Sequence, residues 1–200
     1  MEVFREIGSI PSYDDSIVTI GTFDGCHRGH QDIIKKVIYN AQLNNTKSIL
    51  ITFDPHPRHV LQPENKIPML MHIERKLNFL KSFNLDAVLV IPFDEVFSKL
   101  TAYDFLNSII LKHLNASEII VGYDHHFGFN REGSPEFLKN LAKEKKYKVE
   151  IVEPIKDQDM IISSTHIRQT IQKGFVRRAS FELGWVFGFE AEVVAGSGRG

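Results

Sequence analysis

Thr19-Ile-Gly-Thr-Phe-Asp-Gly-Cys-His-Arg-Gly-His30 is the most informative segment of this 200-residue chain. Ile17–Ile20 is apolar and rich in β-branched residues, and it reads as a buried strand. A glycine-bearing loop follows, and a helix opens near Gly29. Strand, glycine loop and helix in that order form the first unit of an open α/β sheet. Gly21, Gly25 and Gly29 let backbone approach a ligand and turn tightly where a Cβ would interfere. The helix start offers free N–H groups and a partial positive charge, for which a phosphate is the natural guest. His27 and His30, three apart across the first turn, can present imidazole N–H groups from nearly one side. Donors placed there stabilise the extra negative charge on a phosphorus under attack. A single histidine at a helix start is ordinarily a cap or a surface residue; two in a glycine-flanked loop favour a ligand role. A metal reading is weaker, because nothing nearby completes a ligand set. Cys26 has no neighbouring base and reads as a small tolerated residue.

Working outward, Ser48–Phe53, Ala87–Ile91, Glu118–Val121 and Lys148–Val152 read as four more strands, several continuously apolar. That is the pattern of parallel strands covered on both faces. Helices are expected over about 29–43, 73–83, 101–114 and 134–146. Thr101-Ala-Tyr-Asp104 resembles a capping box, and Ser134-Pro135-Glu136 puts Ser at the N-cap and Pro at the first helical position. The alternation predicts right-handed crossovers and a Rossmann-like, doubly wound, five-stranded parallel sheet, with its site beyond the carboxyl ends of the strands. Apolar residues make up 42% of the chain, enough for a real core. Net charge is −1 with the signs interspersed, which gives no electrostatic case for nucleic acid or a membrane surface. The lone Cys26 rules out an internal disulfide. The acidic start lacks a signal-peptide profile, and no apolar run approaches the roughly 18 residues of a membrane span. A cytoplasmic protein is expected.

A second constellation is Ile162-Ser-Ser-Thr-His-Ile-Arg168. Ser163 is a good N-cap, and Ser164 and Thr165 join another anion-receptive helix start. Arg168, about one turn along, carries a fork suited to phosphate oxygens. By itself a Ser-Ser-Thr run commonly just caps a helix. Together the two motifs resemble the HxGH nucleotidylyltransferase superfamily with its SSTxxR signature. Adding Thr52-Phe-Asp-Pro-His-Pro57 and Val121-Gly-Tyr-Asp-His-His-Phe-Gly128, the chain resembles the adenylyltransferase module of the bacterial bifunctional riboflavin kinase/FMN adenylyltransferase family over about residues 17–184.

The resemblance implies adenylyl transfer from ATP to FMN, giving FAD and pyrophosphate, with Mg²⁺ riding on the phosphates and no dedicated metal site in the protein. It implies that His27, His30 and Arg168 are catalytic, and that Gly21, Phe23, Asp24, Gly29, Ser163, Ser164 and Thr165 serve the ATP phosphates. His56, Pro57 and Asp124 would line the nucleotide and flavin region. Cys26 and His125 depart from the residues more usual in the family, a small apolar and an aromatic one. Residues 1–184 are expected to form the adenylyltransferase domain. Residues 185–200 read as a linker and first strand (Glu190–Val194) of a riboflavin kinase domain that the family carries covalently; its kinase motif is absent here, so riboflavin phosphorylation is not expected of this chain. The alternatives are another HxGH adenylyltransferase, acting on pantetheine phosphate or a nicotinamide nucleotide, and a non-catalytic flavin- or nucleotide-binding module.

Overall fold

The computed structural model describes residues 1–189 and 192–196. Among them, six parallel strands form the central sheet: β1 (Glu2–Phe4), β2 (Ser16–Ile20), β3 (Lys47–Asp54), β4 (Ala87–Pro92), β5 (Ala116–Gly122) and β6 (Lys148–Val152). Their spatial order is β1-β4-β3-β2-β5-β6. All five expected strands are present, and the sheet gains a sixth. β1 is only three residues long and begins with Glu, too short to show a period; it pairs with Ala87–Leu89 of β4 at the sheet edge.

The helices are α1 (Arg28–Asn44), α2 (Pro57–Leu61), α3 (Ile73–Lys81), α4 (Ala102–Asp104), α5 (Pro135–Lys145), α6 (Ser164–Gln172) and α7 (Val176–Leu183). Ser134 caps α5 by accepting the Phe137 N–H at 3.1 Å, with Pro135 behind it as expected. The Thr101 box also forms, its Oγ1 accepting the Asp104 N–H at 3.0 Å and donating to the Asp104 carboxylate at 2.7 Å. The helix expected over 101–114 is less regular: after α4 it widens to a π-type turn over Phe105–Leu111. Phe105, Leu106, Ile109 and Ile110 are all buried there, a broader apolar face than a narrow helical stripe provides. A short hairpin, β7 (Lys156–Asp157) with β8 (Met160–Ile161), precedes α6.

Adjacent strand residues bury into opposite layers. Val18, Ile20, Ile49, Ile51, Leu89 and Ile91 pack with the π turn and Leu138 of α5. Ile17, Leu50, Val88, Val90 and Ile120 pack with Ile33, Ile34 and Val37 of α1 and Leu77 and Leu80 of α3. Burial on both faces explains the continuous apolar runs. A third cluster, Leu70, Ile162, Ile167, Ala179 and Leu183, seats α6 and α7. Trp185–Gly188 then turn back on the domain, with the Arg75 guanidinium over the Trp185 ring at 4.7 Å and donating to the Gly188 carbonyl. The strand expected at Glu190–Val194 starts on residues 190–191, which lie outside the described residues, and 192–196 carry no regular structure.

After β1, which lies at the edge, the chain winds outward from the middle of the sheet in both directions. β2 and β5 are neighbours, β3 and β4 lie to one side and β6 to the other, so the order reverses between β2 and β5. A crevice beyond the carboxyl ends of those two strands follows from this geometry.

Candidate active site

β2 delivers the chain to that crevice. Gly21 extends the ladder, donating its N–H to Ile51 O at 3.1 Å. The backbone then leaves the sheet through a left-handed loop, with φ of +46° at Phe23, +78° at Gly25 and +39° at Cys26. At Gly25 both the positive φ and the lack of room demand glycine, since a Cβ would stand 2.8 Å from Leu70 Cδ1.

His27 is the N-cap of α1, its Nδ1 accepting the His30 N–H at 3.4 Å. The proton of the neutral ring then belongs on Nε2, which is left to donate. The two imidazoles stack at 3.6 Å, 18° from parallel, and Phe23 meets His30 edge-on at 5.2 Å. Burial pushes the His27 pKa down to about 4. His30 is held well below its ordinary value, by burial first and then by His27 and Lys76. The pair is therefore neutral at physiological pH, with N–H dipoles and no net charge to offer a ligand. His30 Nδ1 is buried without a partner among the described residues. Gly29 provides the space for the His27 ring, since a Cβ there would come within 3.3 Å of it.

Asp24 is 1% exposed. Its carboxylate accepts the backbone N–H groups of Leu70 and Met71, each at 3.1 Å, and pairs with the Arg168 guanidinium. Its carbonyl accepts the Ser164 hydroxyl at 2.9 Å. Arg168 also donates Nε to Pro68 O at 2.7 Å. Ser163 caps α6 by accepting the His166 N–H at 3.2 Å, and Thr165 is exposed. The two motifs distant in sequence thus meet through Asp24, Ser164 and Arg168.

After β3, His56 caps α2 by accepting the Arg58 N–H at 3.1 Å, and Pro57 opens that helix. Burial, and next Arg168, lower the His56 pKa to about 4. Asp124 is exposed just past β5, its Oδ1 beside Gly122. Cys26 is fully buried, and burial raises its thiol to about 12, so it holds its proton.

Sequence reasoning passed over Lys76. It is 2% exposed and donates from Nζ to Thr22 O at 2.6 Å and, more weakly, to Thr52 Oγ1 at 3.4 Å. Its place in Glu74-Arg75-Lys76 suggests a solvated face, but it lies four residues before buried Leu80 and shares that side of α3. Trp185, whose Nε1 donates to Gly25 O at 2.9 Å, was also missed.

Sheet order, the histidine loop at the order reversal and the α6 start beside it are those of a Rossmann-like nucleotidyltransferase fold. The comparisons narrow that class. The model of the family described as FAD synthetase matches residues 9–166, and the chain belongs to that family. It is 32% identical to the bifunctional riboflavin kinase/FMN adenylyltransferase of Buchnera aphidicola subsp. Acyrthosiphon pisum, over 98% of this chain and 63% of that protein. Against the Escherichia coli K12 protein of the same name identity is 30%, over all of this chain and 64% of the relative. This chain thus spans just under two thirds of these relatives. A solved structure named Macrolide-efflux Protein from Streptococcus pneumoniae superposes with a TM-score of 0.80 at 30% identity, covering 92% of this chain and 59% of that one. No helix among the described residues is long and apolar enough to cross a membrane.

Proposed function

We propose that this chain transfers the adenylyl group of ATP to FMN. An oxygen of the FMN phosphate attacks the α-phosphorus, the bond to the bridging α–β oxygen breaks, and FAD and pyrophosphate result. The stacked, neutral His27/His30 pair at the start of α1 carries this reading. Its ring N–H groups and the free backbone N–H groups of the helix start would meet the non-bridging phosphate oxygens as charge builds on them. Because FMN brings its own nucleophilic phosphate, the protein's task is alignment and charge neutralisation, with no covalent intermediate.

Gly21, Phe23, Gly29 and Thr165 would shape the phosphate site, while Asp24, Ser163 and Ser164 hold the loop and α6 in place around it. Arg168 would present to the phosphates the part of its fork that Asp24 and Pro68 leave free. His56, Pro57 and Asp124 would border the nucleotide and flavin. Mg²⁺ takes oxygen donors, retains several waters and is commonly held by one or two carboxylates plus phosphates. Asp124, an exposed carboxylate at this end of the sheet, fits such a donor set, and the ion would supply neutralisation of phosphate charge. The unit is assigned to residues 1–184, with Trp185–Gly188 laid back on it, and its place to the cytoplasm.

Purified chain incubated with ATP, Mg²⁺ and FMN, and separately with riboflavin in place of FMN, tests this by chromatography. FAD and pyrophosphate formed in equal amounts from FMN are expected. A folded chain that makes no FAD from FMN would refute the assignment.

A further inference from the structure

Lys76 is a buried cation beside the proposed phosphate site, at a position whose sequence pattern assigns it no such role. It sits on the sheet-facing side of α3, between residues that pack into the core. A lysine in such a place is costly unless its ammonium is engaged, and here the engagement is with the loop that carries the site. Thr22 O accepts Lys76 Nζ at 2.6 Å and the Thr52 hydroxyl at 3.1 Å, so both lone pairs of that carbonyl are used. Thr22 is the last residue before the loop Phe23–Cys26, in which Phe23, Gly25 and Cys26 have positive φ. Farther along, the loop is gripped by Leu70, Met71, Arg168 and Ser164 at Asp24, by Trp185 at Gly25 O and by Gln31 at Cys26 O.

The charges in these grips differ. Arg168 is neutralised by Asp24, whereas no ion pair among the described residues includes Lys76. Lys76 therefore contributes net positive charge directly behind the histidine loop, where a low local dielectric screens it weakly.

We propose that Lys76 is a positioning residue for adenylyl transfer: its ammonium holds the Thr22 carbonyl, fixing the loop that presents His27 and His30, and its unpaired charge favours a polyphosphate in front of them. This rests on the reaction proposed above. The same charge should also be felt by the imidazoles. His30 is faced by His27 from the start of α1 and by Lys76 from α3; Lys76 in turn is faced by Cys26 and Asp24 in the loop and Asp54 at the end of β3. Removing the ammonium should make His30 easier to protonate, because a nearby cation disfavours a second one.

Lys76→Met, nearly the same shape without the charge, is compared with Lys76→Arg and the unaltered chain in FAD formation and in an NMR titration of the histidine rings. Lys76→Met should lower kcat by about tenfold or more, leave KM for FMN nearly unchanged and move the His30 titration to higher pH. Lys76→Arg should recover part of kcat. Unaltered kcat in the Met variant, or a His30 titration that stays in place, overturns the proposal. Should Lys76→Met fail to fold, Thr52→Val removes the second grip on Thr22 O; a few-fold loss of kcat is expected, and unaltered kinetics count against the role. If the unaltered chain makes no FAD, the reaction is misassigned, while the His30 titration still tests the Lys76 charge on its own.

Discussion

The starts of α1 and α6 are both capped by a side chain that accepts a backbone N–H, His27 in one and Ser163 in the other, yet the structure uses them differently. At α1 the histidine pair keeps ring nitrogens in reserve: His27 Nε2 carries the proton by its tautomer, and His30 Nδ1 has no partner among the described residues. At α6 the polar groups already serve the protein. Ser163 caps its own helix, Ser164 bonds Asp24 O, and Arg168 divides its guanidinium between Asp24 and Pro68. On the proposed function α1 would be the reactive end and α6 mainly a brace, with buried Asp24 linking the two.

The most severe way to break that comparison is at α1. His27→Ala and His30→Ala should each cost about 2–4 kcal/mol of transition-state stabilisation, roughly thirtyfold to a thousandfold in kcat, by analogy with losing one oxyanion donor. Stopped assays of FAD formation measure this, and near-normal turnover in both variants would remove the reactive end. A brace should instead fail in stability. Asp24→Ala leaves Arg168 without its carboxylate and should lower the unfolding free energy by about 3–5 kcal/mol, as breaking one side of a buried pair does. Urea unfolding gives the number; an unchanged midpoint alongside lost turnover would mean Asp24 works on the substrate. The smallest effect is expected at Cys26→Ala, which trims one buried atom and costs on the order of 1 kcal/mol while leaving turnover intact. A dead variant would give the protonated thiol a part it has not been assigned.

How far the sequence carried this reading depended on how local the cause was. Continuous β-branched runs such as Ile49-Leu50-Ile51 declare strands buried on both faces, and Ser134-Pro135 marks a helix start with atoms only three residues apart. β1 was invisible because its three residues become a strand only by pairing with β4, more than eighty positions away. The loop histidines announced themselves by spacing and by their glycines. Lys76 did not, because what buries it is a carbonyl fifty-four residues earlier, and the charged neighbours Glu74 and Arg75 disguise its side of the helix. The Asp24–Arg168 pair, 144 residues apart, is likewise a product of the sheet and not of any local pattern.

Trp185 has one more consequence. It is the sole tryptophan in the chain, and its indole N–H is held by the Gly25 carbonyl inside the histidine loop. All indole emission from this chain therefore originates at one point beside the histidine loop. Isoalloxazine rings absorb where indole emits, so a flavin docked at this end of the sheet would draw off that light by energy transfer. The chain carries its own optical gauge, readable in stopped flow without any attached dye.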